Sequence, residues 1–474
     1  MALVPRFFRT HLRLILRLLG LFGFLGLTAL LLQLGWSSLP TIVPDLSRRP
    51  GPAVPLEGPR GPLSAARSKA ILDSLKSQGP ETGIFERHLA REEEIVESPL
   101  TIGNQVLLLQ DGPATYRAML AAIGAARDHI NMETYILDDD DVGRRFAQAL
   151  IDKQRQGVQV NLIHDSVGTL GTPRAFFQRL RDAGVRVLEF NPVNPMLARK
   201  EWELNQRDHR KLLIVDGLTA FLGGINISSV YSGGSSSKRV RPDDSLAWRD
   251  TDLQLRGPVV AQLQKLFLAA WAGQRGEPLP PSNYFPPLEK AGRTVVRAIG
   301  SSPEDPYSLI YATLLSAIGS AETSVRLTNA YFVPDPQLLA ALEAAVRRGV
   351  EVSLILPSQT DSWLVFHAGR GYYAQLLRAG VKIYERRGVI LHSKTALVDG
   401  VWATVGSTNL DWRSFVHNHE LNAVVLGTEF GAQLQSMFDK DLAASEPITL
   451  EHWQARGLQL RLLEALARMG EYWL

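Results

Sequence analysis

Two distant stretches of the chain carry the same pattern of polar residues. The first reads HRKLLIVDGLTAFLGGIN and holds His209, Lys211, Asp216, Gly223, Gly224 and Asn226. The second reads HSKTALVDGVWATVGSTN and holds His392, Lys394, Asp399, Gly406, Ser407 and Asn409. Both fit H-x-K-x4-D-x6-G-[GS]-x-N, with the same spacing from His to Asn. One H-x-K-x4-D is a weak signal, but two copies with the same downstream residues are not chance.

The surrounding sequence repeats as well. ARDHINMETYIL (126–137) is similar to AETSVRLTNAYFV (321–333), GVQVNLI (157–163) to GVEVSLI (349–355), and LRDAGVRVLEF (180–190) to LLRAGVKIYER (376–386). Self-similarity at this separation means a duplicated domain rather than a short-period solenoid. Within the first copy, strand and helix patterns alternate. Strands are expected at 106–110, 130–137 and 158–164, and helices at 116–126 and 144–154. This alternation predicts an α/β fold with a largely parallel sheet in each half. The proline-rich EPLPPSNYFPPLEK (277–290) is the natural linker. The expected division is 100–276 for the first lobe, 277–293 for the linker and 294–474 for the second lobe.

The spacing has a geometric reading. KLLIVDG and KTALVDG read as strands that end in an Asp-Gly turn, with FLGG and ATVGS as the return strands. Residues two apart share a strand face, so each His and Lys point the same way. Each half thus offers an imidazole, an ammonium and an amide. Two imidazoles suit an in-line displacement at phosphorus, in which one attacks and the other protonates the leaving oxygen. Two lysines and two amides would neutralise the phosphoryl oxygens. His209, Lys211, Asp216, His392, Lys394 and Asp399 are the catalytic candidates. Asp-Gly is also a good hairpin turn, which gives Asp216 and Asp399 an equally good structural reading. Asn226, Asn409 and Ser407 are the substrate-binding candidates. No cofactor is expected, and no carboxylate cluster suits Mg²⁺.

Composition limits the partners. The chain has 474 residues, a net charge of +3 and no cysteine, which excludes disulfides, thiolate metal sites and a cysteine nucleophile. Arg6, Arg9, Arg13 and Arg17 precede any acid. Without those four, the 51 basic residues fall to 47, against 48 acidic ones. The near-neutral body argues against a general nucleic-acid binder.

The uncharged run Leu18–Gly35 would span about 27 Å as a helix, close to a bilayer's hydrocarbon thickness. With arginines before it, residues 1–39 are expected to be a transmembrane anchor with its N-terminus inside. A cleaved signal peptide is the alternative. Residues 40–62 hold seven prolines and are expected to form an extended spacer. The spacer and a lead-in helix fill 40–99. If the Leu18–Gly35 run spans a membrane, the rest of the chain is expected on the outer side of that membrane.

On these motifs the chain resembles the phospholipase D superfamily, and within it the bacterial cardiolipin synthases. NQRDHRKLLIVDG, GGINISSVYSGGSSS, TDSWLVFHAGRGYY and GSTNLDWRSFVHNHELN carry the narrower likeness, which covers 95–474. The resemblance implies two mixed sheets flanked by helices and one shared active site between the halves. It implies a phosphohistidine on His209, with His392 as acid and then base. It also implies a carboxylate partner for each histidine. Glu420 is expected beside His209 and Glu133 beside His392, with Asn329 opposite Glu133 in the repeat and Asp250 roughly opposite Glu420. The implied reaction moves a phosphatidyl group between two phosphatidylglycerols, giving cardiolipin and glycerol. Hydrolysis to phosphatidic acid is the first alternative, and a nuclease of the same motif is a weaker one. His367, His417 and His419 read as structural. The Ser/Gly-rich 231–239 segment reads as a mobile loop near the site mouth. The last helix, 458–473, is expected to rest on the second lobe rather than on the membrane.

Overall fold

The computed structural model describes residues 54–194, 203–234 and 246–474. The expected anchor, most of the proline stretch and most of the 231–239 segment lie outside them. Among the described residues, no helix is long and apolar enough to cross a membrane.

Strands and helices alternate as the patterning predicts. In the first half the strand order is Arg186–Phe190, Gln159–Asp165, His129–Thr134, Leu212–Val215, Thr219–Gly223, Thr251–Arg256 and Leu100–Gln110. Only the first three run parallel and the later pairings are antiparallel, so each half is a mixed sheet and not the largely parallel one expected, because the motif hairpin reverses the chain within it. The second half repeats this order with Lys382–Arg386, Glu351–Pro357, Ser324–Asn329, Lys394–Val398, Trp402–Gly406, Asn418–Leu426 and Thr294–Ser301. The predicted strand 130–137 leaves the ladder after Thr134, because the Asn226 side chain takes the Ile136 N–H.

The expected two sheets are joined. Residues 105–110 of Leu100–Gln110 pair with Thr251–Arg256, while 101–104 pair with 294–296 of the second half. The strand passes from one partner to the other near Gly103, whose φ of 105° suits glycine. Leu253, Val259 and Phe267 of the first half share one apolar core with Val296, Leu421 and Leu434 of the second. Burial on this scale is the main favourable term in folding, and here it joins the halves as well as folding each one.

Both motif hairpins close as read. Asp216 and Gly217 have φ of 53° and 64°, and Asp399 and Gly400 have φ of 50° and 68°. Two successive left-handed residues are what a two-residue hairpin turn requires. Helix starts are capped in the usual way: the Asp140 carboxylate accepts from the N–H groups of Val142 and Gly143, and Asp335 from those of Gln337 and Leu338.

One expectation fails in the lead-in. The end of the proline stretch is not a free spacer. Leu56–Gly58 pairs with Gly61–Pro62 and, in parallel, with Leu100 and Thr101. Leu56 is fully buried, and its N–H donates to Ser68 Oγ. Pro62 sits opposite Glu57 on a strand paired on one side only, where a proline is tolerated.

Candidate active site

Each motif histidine enters on a short segment that bridges the two halves. Arg207–Asp208 pairs in parallel with Asn418 and His419, and the His209 N–H donates to the His419 carbonyl at 3.0 Å. Reciprocally, Trp248–Arg249 pairs with Ile390–Leu391, and the His392 N–H donates to the Arg249 carbonyl at 2.8 Å. These two small ladders set His209 beside Glu420 and His392 beside Asp250.

The side chains complete the exchange. His209 Nδ1 lies 3.1 and 3.2 Å from the two Glu420 oxygens. His392 Nδ1 lies 2.7 Å from Asp250 Oδ2. Each histidine is therefore held by a carboxylate of the other half, and each keeps Nε2 for chemistry. The Lys211 ammonium donates to the carbonyl of His209 at 2.5 Å, and Lys394 to that of His392. Lys394 Nζ is also 3.0 Å from His392 Nδ1. Both histidines and both lysines are buried.

Glu133 is not the partner of His392. It lies in its own sheet, in register with Leu212, directly behind the first motif. There it pairs with Arg210 at 2.9 Å, and Arg210 also holds Asp208 at 2.9 Å. A strand residue locked into that register cannot reach the other half. The residue that does reach is Asp250. Asp252 faces Gly223 and Asn422 faces Gly406, so Asp250 and Glu420 occupy equivalent positions. The same registers put Thr328, not Asn329, at the place of Glu133. Asn329 instead accepts the Leu410 N–H.

Asp216 and Asp399 stand away from the reacting groups. Asp216 gathers the N–H groups of Arg127, Asp128 and His129. Asp399 gathers those of Glu322, Thr323 and Ser324, with the hydroxyls of Thr323 and Thr82. They brace the hairpin turn against the neighbouring strand. Ser407 also departs from its expected role, because its hydroxyl donates to Glu420 at 2.5 Å. The equivalent Gly224 has no room for a side chain: a Cβ there would collide with the Asp250 carboxylate.

The two asparagines differ as well. Asn226 is engaged at both ends, by the Ile136 N–H and by its own donation to Tyr231 O–H. The buried Asn409 amide oxygen has no hydrogen-bond partner among the described residues. Tyr231, expected to open the mobile 231–239 loop, is instead fully buried, and its hydroxyl lies 3.3 Å from His392 Nδ1. Tyr135 packs its ring edge-on to His209 and under Lys211 Nζ, and Trp248 packs against His392.

Electrostatics separate the two carboxylates. Burial alone would raise Glu420, but the field and hydrogen bond of His209, with Lys211 and Ser407, hold it below the usual range. For Asp250 burial wins over Lys394, and its pKa rises to about 6. Burial, helped by Lys394 and opposed by Glu420, pushes Lys211 down to about 7, and burial against the pull of Asp250 and Glu420 pushes Lys394 down to about 8. Both histidines are also lowered, by burial first and then by the lysines, His392 well below its ordinary value. Two buried ammonium groups facing one site are costly without an anion between them. The arrangement suits a phosphate flanked by two ring nitrogens.

The comparisons agree with this geometry. A family model described as "Cardiolipin synthase, PLD-like domain" matches residues 119–233 and 314–442. The chain is 35% identical over 418 residues to a cardiolipin synthase of Geobacillus sp., covering 85% of this chain and 81% of that one. It is 36% identical over 357 residues to cardiolipin synthase A of Pseudomonas entomophila, covering 74% and 71%. Among solved structures, a phosphatidylserine synthase of Haemophilus influenzae shares the fold, with a TM-score of 0.59, 13% identity, and coverage of 81% of this chain and 99% of that one. Two intact copies of the motif, meeting at one site in a chain so similar to these relatives, place the protein in the cardiolipin synthase family of phospholipase D-like enzymes.

Proposed function

We propose that the chain is a cardiolipin synthase that transfers a phosphatidyl group from one phosphatidylglycerol to a hydroxyl of a second, releasing glycerol. The observation that carries the assignment of roles is the crossed and unequal pairing of the two histidines. Glu420 stays ionised and steadies the positive charge that builds on His209 as Nε2 attacks phosphorus. The P–O bond to glycerol breaks, and His392 delivers its proton to the departing oxygen. The lower pKa of His392 makes it the better acid once it is charged. In the second step His392 takes the proton of the incoming hydroxyl, whose oxygen attacks phosphorus. The P–N bond to His209 then breaks. Lys211, Lys394 and Asn409 face the phosphoryl oxygens.

Burial and the two lysines favour the neutral form of both rings. The phosphodiester's charge offsets the lysine field and allows His392 to hold the proton that the first step needs. The Leu18–Gly35 run, preceded by arginines, supports a single anchor in a bacterial cell membrane with the body outside. The test is to incubate detergent-solubilised protein with phosphatidylglycerol and identify products by mass. Cardiolipin and glycerol in equal amounts are expected. Phosphatidic acid as the main product would replace transfer with hydrolysis.

A further inference from the structure

The C-terminal helix, Leu458–Arg468, packs on the second lobe against the Trp363–Arg370 helix. Its inward face carries Glu464 and Ala467, both buried. Its outward face is apolar: Leu458, Leu462, Leu466 and Met469 recur at helical spacing and are 80, 63, 56 and 48% exposed. Trp363, on the helix packed against it, and Trp473, just past its end, are exposed as well. A surface helix normally turns polar residues outward, and an apolar stripe of this kind marks an interaction site.

Two further observations identify what covers it. A cleft of about 420 Å³ opens beside the helix, lined by Arg378, Arg456, Arg461 and Arg468 over Trp453. Glu464 is the one carboxylate in that lining and is paired to Arg456 at 3.0 Å, so the cleft presents net positive charge. The apolar surface also begins at the active site. Asp361, two residues before Trp363, accepts a hydrogen bond from Tyr331 O–H at 2.6 Å, and the Tyr331 ring centre is 6.0 Å from that of His392. Leucines beside clustered arginines, with tryptophans at the border, match an anionic bilayer surface.

We propose that this face docks on an anionic phospholipid bilayer, with the outward leucines among the acyl chains and the arginine cleft over the headgroup phosphates. Docking would set the site mouth at the level of the lipid headgroups. The proposal rests on a phospholipid substrate, but its test reads docking without turnover, so the two fail separately.

The chain has no cysteine, so a single fluorophore can be attached to full-length Leu462→Cys. The protein is reconstituted into phosphatidylcholine vesicles with brominated acyl chains, with or without phosphatidylserine. Lys265→Cys, on an exposed position of the Val259–Gly273 helix, is the control site. Quenching at position 462, not at 265, and stronger with phosphatidylserine, is expected. Arg378→Ala with Arg461→Ala should weaken the docked state by roughly 30-fold. No quenching at 462 in anionic vesicles would overturn the proposal. So would quenching that ignores both lipid charge and the arginine variant. Self-quenching that grows with protein density and ignores lipid composition would assign the face to a second copy of the chain instead.

Discussion

Replacing Asp250 by Asn tests the crossed pairing at its less obvious end. The carboxylate sits 2.7 Å from His392 Nδ1 in a buried site. A hydrogen bond to a charged group contributes about 1.5–3 kcal/mol, which alone is about 10- to 150-fold in rate. An amide can also donate to Nδ1 and hold the ring in the wrong tautomer, so the loss can approach the full value of acid–base transfer, roughly 10²–10⁴-fold. Asp250→Asn is therefore expected to lower kcat for cardiolipin formation by about 10²-fold or more. The discriminating assay compares leaving groups. Glycerol needs a proton from His392, whereas a nitrophenyl phosphodiester departs without one. The defect should be large with phosphatidylglycerol and small for the first step with the nitrophenyl substrate. Glu133→Gln is the contrast. It disturbs a buried pair with Arg210 and should cost about 1–3 kcal/mol of stability, while leaving kcat of the folded fraction within a few-fold. Equal loss with both leaving groups in Asp250→Asn, or a leaving-group effect only in Glu133→Gln, would refute the reasoning.

Three further outcomes follow from the same geometry. Gly224→Ala places a methyl against the Asp250 carboxylate and should reproduce the leaving-group signature of Asp250→Asn, read by the same paired assay. Ser407→Ala removes the hydroxyl donated to Glu420 and should reduce formation of the His209 adduct by roughly 10-fold, measured by single-turnover quench. Burial brings Lys211 down to about 7 and Lys394 down to about 8. A bound anion raises both, so sulfate binding at pH 8 should take up roughly one proton, and less at pH 6 where the lysines are already charged. Calorimetry in buffers of different ionisation enthalpy reads this directly.

The duplicated fold and the two histidine–lysine pairs were legible because local periodicity encodes them. Strands of period two, Asp-Gly turns and a fixed spacing each report on near neighbours in the chain. Glu420 was legible for a different reason, the resemblance of HNHELN to a known family. Asp250 was aligned with Glu420 in the repeat, yet its contact with His392 depends on the Trp248–Arg249 and Ile390–Leu391 ladder between halves. No local pattern reports such a ladder. Repeat symmetry alone pointed to it: if Glu420 serves the other half's histidine, its counterpart must do the same. Ser407 was placed correctly beside the site but given the wrong neighbour, since a serine hydroxyl serves a carboxylate as readily as a phosphate. The inner face of the C-terminal helix rests on the lobe as expected, while the proposed docking of its outer face replaces the expected choice between lobe and membrane. Its leucines lie on several faces, so spacing did not reveal that a full stripe stays exposed.

The central claim is that the two histidines are unequal partners, with His209 the one that bonds to phosphorus. It is tested most directly by acid-free rapid quench with phosphatidylglycerol, followed by peptide mass spectrometry. A phosphatidyl adduct on His209 Nε2 is predicted. Its yield should rise in His392→Ala with the nitrophenyl substrate, because the second step then lacks its base. An adduct on His392, or turnover with no adduct on either ring, would contradict the account.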